Sequence, residues 1–155
     1  MKTNNEVVKL IEDSIESTGS IDEALRSAVR ILKGERDYYN WVGVYLLEGD
    51  TLVLHNYIGK PTEHIRIPIG KGVCGTAVAL RENQLVSDVT KLENYLACSV
   101  ETRAEIVVLI RRGDVILGQI DIDSDVPNAF TAEDESLLIC VANLLAAKRG
   151  FDDPH

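Results

Sequence analysis

Glu105-Ile106-Val107-Val108-Leu109-Ile110, an Arg112-Gly113-Asp114 turn, and then Val115-Ile116-Leu117-Gly118-Gln119-Ile120-Asp121-Ile122-Asp123-Ser124 form the stretch that decides the fold. Two β-prone runs around a Gly-Asp turn predict an antiparallel hairpin. Its second strand carries carboxylates where a buried strand should have none. Asp121 and Asp123 are two apart and share one face, while Ile120 and Ile122 share the other. Glu105 opens the first strand, and Tyr95-Leu96-Ala97-Cys98-Ser99 brings a thiol just upstream. Acids and a thiol on core strands point to a site. The same residues also fit a structural reading, in which strand-end Asp residues turn the chain and Glu105 is a solvated strand start.

Working outward from the hairpin, the flanks alternate between two periods. Val7, Val8, Ile11 and Ile15 recur at helical spacing and predict a first helix over 5–17. Ser20-Ile21-Asp22-Glu23 reads as a capping box opening a second helix, with Gly34 as its stop. The helical N-terminal region is thus 5–33. Trp41-Val42-Gly43-Val44-Tyr45-Leu46-Leu47 is nearly all apolar, as a strand covered on both faces should be. Trp41, Gly43, Tyr45 and Leu47 fall on one side, and Val42, Val44 and Leu46 on the other. Glu48-Gly49-Asp50 turns the chain into Leu52–Tyr57. Pro61 and Pro68 mark an irregular or edge segment. Gln84–Asp88 is a further short strand.

Gly70-Lys71-Gly72-Val73-Cys74-Gly75 matches the dinucleotide pattern G-x-G-x-x-G. That pattern needs a parallel βαβ unit, and its neighbours here are hairpins. The glycines are read instead as a tight entry into a short helix, with Cys74 a small buried hydrophobe on it. Thr131-Ala132-Glu133-Asp134 caps a last helix over 131–149, whose stripe is Leu137, Leu138, Val141, Leu144 and Leu145. Cys140 is read as packing beside that stripe, and Gly150–His155 as a frayed tail. The expectation is one α+β domain over 1–155. A central antiparallel sheet of about five to six strands (40–124) carries helices on one face and pocket loops on the other.

The net charge of −9, with no basic stripe, argues against nucleic acid and against an anionic membrane surface. No apolar run reaches the roughly 20 residues of a membrane span. No secretory signal is visible in Met1–Glu6, so a cytoplasmic location is expected. The odd count of three cysteines speaks against a disulfide framework. No Cys-x-x-Cys or His-x-x-x-His spacing supports a zinc site.

Several segments together resemble a GAF domain, and more narrowly the stand-alone GAF enzymes that reduce free methionine-R-sulfoxide. They are Asn40–Leu46, Gly70–Ala77, Val86–Val89, Ala97-Cys98-Ser99, Glu105–Val108 and Asp121–Ser124, in the family's order. The resemblance implies Cys98 as nucleophile. It implies Glu105, Asp121 and Asp123 as binders of the substrate ammonium and helpers of proton transfer, and Trp41 and Tyr45 as the wall around the substrate methyl. No bound cofactor is implied, only a thioredoxin-like thiol reductant. GAF domains often pair, so a homodimer through the first and last helices is expected. The chain departs from the pattern in three places. His64 stands where the family usually has a resolving cysteine, which leaves Cys74 or an external thiol to clear the sulfenic acid. Glu93-Asn94-Tyr95-Leu96 replaces Pro-Gly-His-Ile. Ala104 and Leu109 replace Ser and Pro around Glu105. Two other readings stand beside the reductase. One is a GAF module that binds a small molecule without chemistry. The other is an interaction protein whose cysteines are merely buried.

Overall fold

A computed structural model describes residues 1–92 and 101–151. The helices are α1 (Asn4–Glu16), α2 (Ile21–Glu35), α3 (Gly72–Leu80) and α4 (Ala132–Ala147). The strands are β1 (Trp41–Glu48), β2 (Thr51–Ile58), β3 (Arg66–Pro68), β4 (Gln84–Val86), β5 (Ala104–Arg112) and β6 (Val115–Ser124). They form one sheet in the order β3-β2-β1-β6-β5-β4, antiparallel at every pairing. The α+β architecture is therefore as expected, with six strands. The dinucleotide reading fails as anticipated, because the sheet has no parallel pair among the described residues.

Alternation along β1, β5 and β6 splits the interior in two. Val42, Val44, Leu46, Ile106, Val108, Ile110, Ile120 and Ile122 face α1, α2 and α4. Fully burying each such side chain stabilises the fold by about 1.5–3 kcal/mol. Trp41, Tyr45, Val107 and Leu109 face the opposite way, against Val73, Cys74, Ala77 and Val78 of α3. That second side is covered by a helix as well as by loops.

Polar anchors fix the helices. Ser20 accepts from the Glu23 N–H at 3.3 Å to start α2. Thr131 caps α4 as expected, and Asp134 completes a capping box with it. Asp134 does more, because its Oδ1 also accepts from the hydroxyls of Tyr38 and Tyr39, each at 2.6 Å. One buried carboxylate thereby ties the start of α4 to the segment leading into β1. Burial and this carboxylate push the Tyr38 phenol up to about 12 and Tyr39 further still.

Four local expectations are corrected. Gly34 does not stop α2, which continues to Glu35; a Cβ there would meet nothing, so the glycine neither needs nor supplies a special conformation. The α1 helix starts one residue earlier than expected because Thr3 and Glu6 form a capping box. Cys140 is exposed rather than packed beside the stripe. The tail is not frayed at its start, since Phe151 is buried in the helical core.

Gly118 sits where β6 crosses β1. A Cβ there would overlap the Tyr45 carbonyl oxygen and press on the Leu46 Cα at 3.2 Å. Both are backbone atoms at the centre of the sheet and cannot step aside. Gly118→Ala is expected to destabilise the fold by about 1–3 kcal/mol, the usual cost of overpacking. The measurement is urea unfolding, and an unchanged midpoint would show that the β1–β6 crossing has slack.

Candidate active site

Strand register builds the site. Asp121 lies opposite Gly43 on β1 and Val107 on β5, and Asp123 lies opposite Trp41 and Glu105. All three carboxylates therefore share the face that looks toward α3. Each is almost completely buried. The α3 helix brings Cys74 down onto them, with its Sγ 3.8 Å from Glu105 Oε2.

Two devices hold Cys74 in place. Gln119, two residues before Asp121 on the same face, donates from Nε2 to the Cys74 carbonyl at 3.0 Å. The glycine loop supplies the other. Gly72 enters α3 at φ 63°. Gly75 packs where a Cβ would lie 2.5 Å from the Pro68 carbonyl oxygen. The Gly70 N–H donates to the Gly75 carbonyl at 2.9 Å. The G-x-G-x-x-G pattern is thus a close-approach device, as read from the sequence.

Tyr45, Cys74, Glu105 and Asp121 line one small cavity of about 10 Å³, walled also by His64, Ile67, Lys71, Gly72 and Val73. The Tyr45 hydroxyl donates to the His64 carbonyl at 2.7 Å, tying the stretch before β3 to β1. Trp41 stands apart from this cavity. Its ring stacks on Tyr57 at 5.3 Å, and its indole N–H donates to the Lys60 carbonyl at 3.1 Å. Asp123 is on the same sheet face but is not among the cavity's walls. Cys98, with the rest of 93–100, lies outside the described residues. Gln119 and His64 are the wall and support residues whose structural roles the sequence reading missed. For Gln119 a signal existed, because Gln119, Asp121 and Asp123 form an unbroken polar row at period two.

The electrostatics are those of buried acids. Burial pushes the Cys74 thiol well up, and the charges of Asp121 and Glu105 add to the shift. Cys74 is therefore a thiol, not a thiolate, at neutral pH. Burial also raises Asp121, opposed by its hydrogen bonds with Glu105 and Cys74. Asp121 Oδ1 is buried and has no hydrogen-bond partner among the described residues. Such a cluster holds a proton more tightly than an exposed carboxylate does and favours any cationic group that enters it.

The family model described as "GAF domain" matches residues 20–148. The free methionine-R-sulfoxide reductase of Escherichia coli is 48% identical over 96 residues, covering 62% of this chain and 58% of that protein. The chain thus spans somewhat under three fifths of that curated relative. Among solved structures, the free methionine-R-sulfoxide reductase of Neisseria meningitidis, in complex with its substrate, superposes with a TM-score of 0.88 at 33% identity. That match covers 94% of this chain and 87% of the other. The type II free methionine-R-sulfoxide reductase of Thermoplasma acidophilum gives 0.77 at 40% identity, over 82% and 93%.

The raised Asp121 carries a stability consequence. Its folded pKa lies above the ordinary 3.8. The protonated acid therefore contributes stability below about pH 4, and that contribution is lost as pH rises through the folded value. Asparagine cannot ionise. Asp121→Asn is expected to be more stable than the wild type at neutral pH, with the gap closing toward about pH 4. Urea unfolding at both pH values reads this, and a wild type more stable than Asp121→Asn at neutral pH would contradict it.

Proposed function

This chain belongs to the GAF domain family, in the group of the free methionine-R-sulfoxide reductases, and we propose that it reduces free methionine-R-sulfoxide to methionine. The reading rests above all on the buried Glu105, Asp121 and Cys74 cluster beneath Tyr45. A free amino acid brings an ammonium group, which three buried carboxylates suit. A sulfoxide brings an oxygen that must leave protonated, which a carboxyl group held protonated by burial suits.

In the proposed cycle the Cys98 sulfur attacks the sulfoxide sulfur. The S–O bond breaks with its oxygen passing to Cys98 as a sulfenic acid, and methionine leaves. The acid cluster, with Asp121 as its proton-holding member, protonates the departing oxygen. Glu105, Asp121 and Asp123 take the ammonium, and Tyr45 with Trp41 forms the apolar wall for the S-methyl group. Cys74 is supported as a neutral neighbour rather than as the attacking group, because a thiol kept protonated is a poor nucleophile.

The sulfenic acid then condenses with a second thiol, releasing water and forming a disulfide that further thiol reduces. His64 cannot supply that thiol. Cys74 is buried and its thiol is held protonated, which favours an external, thioredoxin-like reductant in a cytoplasmic setting. No described helix is long and apolar enough to cross a membrane. Pairing of two copies through α1 and α4 is part of the proposal. These helices pack side by side, and each shows an exposed large apolar residue, Leu10 and Ile139.

The test is methionine release from free R-sulfoxide, free S-sulfoxide and a peptide-bound sulfoxide, each with dithiothreitol. Turnover of the free R form alone is expected, and Cys98→Ser should abolish it. Turnover that survives Cys98→Ser would exclude the mechanism, and no turnover of any form would leave a ligand-binding GAF module. Glu105→Gln is expected to raise KM about tenfold or more, since a hydrogen bond to a charged group contributes about 1.5–3 kcal/mol. An unchanged KM would remove Glu105 from ammonium binding. Sedimentation at micromolar concentration should show a dimer, and a monomer would remove the pairing through α1 and α4.

A further inference from the structure

Cys74, Glu105 and Asp121 converge from α3, β5 and β6 with one donor atom each, all within 4.8 Å of one another. We propose that these three side chains form a binding site for one thiophilic divalent cation, with zinc the ion that fits the donor set best. Tetrahedral zinc takes sulfur at about 2.3 Å and carboxylate oxygen at about 2.0–2.2 Å, which sets its sulfur and oxygen ligands about 3.5 Å apart. The Cys74 Sγ to Glu105 Oε2 separation is already 3.8 Å. A shift of a few tenths of an ångström completes that edge of the polyhedron.

A second, independent observation points to a ligand. Asp121 Oδ1 is buried and has no hydrogen-bond partner among the described residues. Asp121 is 1% exposed, and no lysine, arginine or histidine pairs with it among those residues. A buried acceptor left in this state is costly, and a bound cation removes the cost. Space agrees as well. The cavity of about 10 Å³ is the size of a single water molecule. A single ion enters it without rearrangement of the sheet. Three protein ligands leave a fourth position for water, an arrangement zinc accepts.

Binding replaces the Cys74 sulfur–hydrogen bond with a sulfur–metal bond, and the proton leaves to solvent. No electron moves. The ion then occupies the carboxylates that would otherwise receive the substrate ammonium. On the reductase reading, which this consequence rests on, zinc and substrate exclude each other and zinc holds the protein inactive.

The test uses the full-length protein, reduced with a phosphine so that no dithiol competes for metal. Cadmium serves as the probe, because cadmium–thiolate bonds give an ultraviolet charge-transfer band. One equivalent should saturate the band, and zinc should displace it. Cys74→Ser should abolish the band, Asp121→Asn should weaken binding at least tenfold, and Cys140→Ser should leave both unchanged. No band in the wild type, or a band that survives Cys74→Ser, overturns the proposal. Should Cys74→Ser fail to fold by circular dichroism, Asp121→Asn and Glu105→Gln decide instead, and full affinity in both overturns it. The band is independent of turnover. A protein that binds cadmium but releases no methionine fails only the reductase reading, and one that releases methionine but gives no band fails only this one.

Discussion

The register of β6 between β1 and β5 is the constraint on which the rest of this molecule depends. Side chains alternate with period two, so a slip of one residue would turn Asp121 and Asp123 into the helical core and Ile120 and Ile122 out of it. The observed pairing places Ile122 between Val42 and Ile106, and Asp121 between Gly43 and Val107. Gly118 pins that alignment at the β1 crossing, because its missing side chain is filled by the Tyr45 carbonyl. Three carboxylates are buried together because the opposite face of the same strands is largely apolar and packed by three helices.

This arrangement sets stability against chemistry. A strand of isoleucines would be a better sheet element than one that alternates isoleucine with aspartate. Burial raises Asp121 and Cys74 because it disfavours their charged forms. Functional sites commonly hold such unfavourable groups, and the surrounding fold compensates. Here the compensation is visible in Gln119 on the Cys74 carbonyl and in the Tyr45 hydroxyl on the His64 carbonyl. Both bonds fix backbone segments around the cluster without neutralising it.

Much of this was legible in the chain itself. The hairpin, the two faces of β1, the helix cap at Thr131 and the shared face of Asp121 and Asp123 all follow from local periodicity and turn chemistry. What failed locally failed because tertiary contacts decided it. Gly34 reads as a helix stop, yet α2 ends at Glu35 and the chain then enters the buried Arg36. Phe151 lies in a stretch whose composition reads as a tail, and only the core it enters makes it ordered. Cys140 sits one residue off the buried stripe of α4, which is enough to expose it. Within the site, the meeting of Cys74 with Glu105 depends on α3 folding back over β5, and no sequence spacing encodes that approach. The family resemblance, not the pattern of residues, supplied the role of Cys98.

Trp41 is the chain's single tryptophan. It is packed over Gly43, stacked on Tyr57 and bonded through its indole to the Lys60 carbonyl, on the sheet face that bears the carboxylates. Its intrinsic fluorescence therefore has one origin, and that origin is the edge of the site. Asp123 lies directly opposite it in the β1–β6 pairing. A change in charge or occupancy on that face alters the field at the indole ring. The protein thus carries a built-in optical probe, and occupancy of the carboxylate face can be followed by emission without attaching a label.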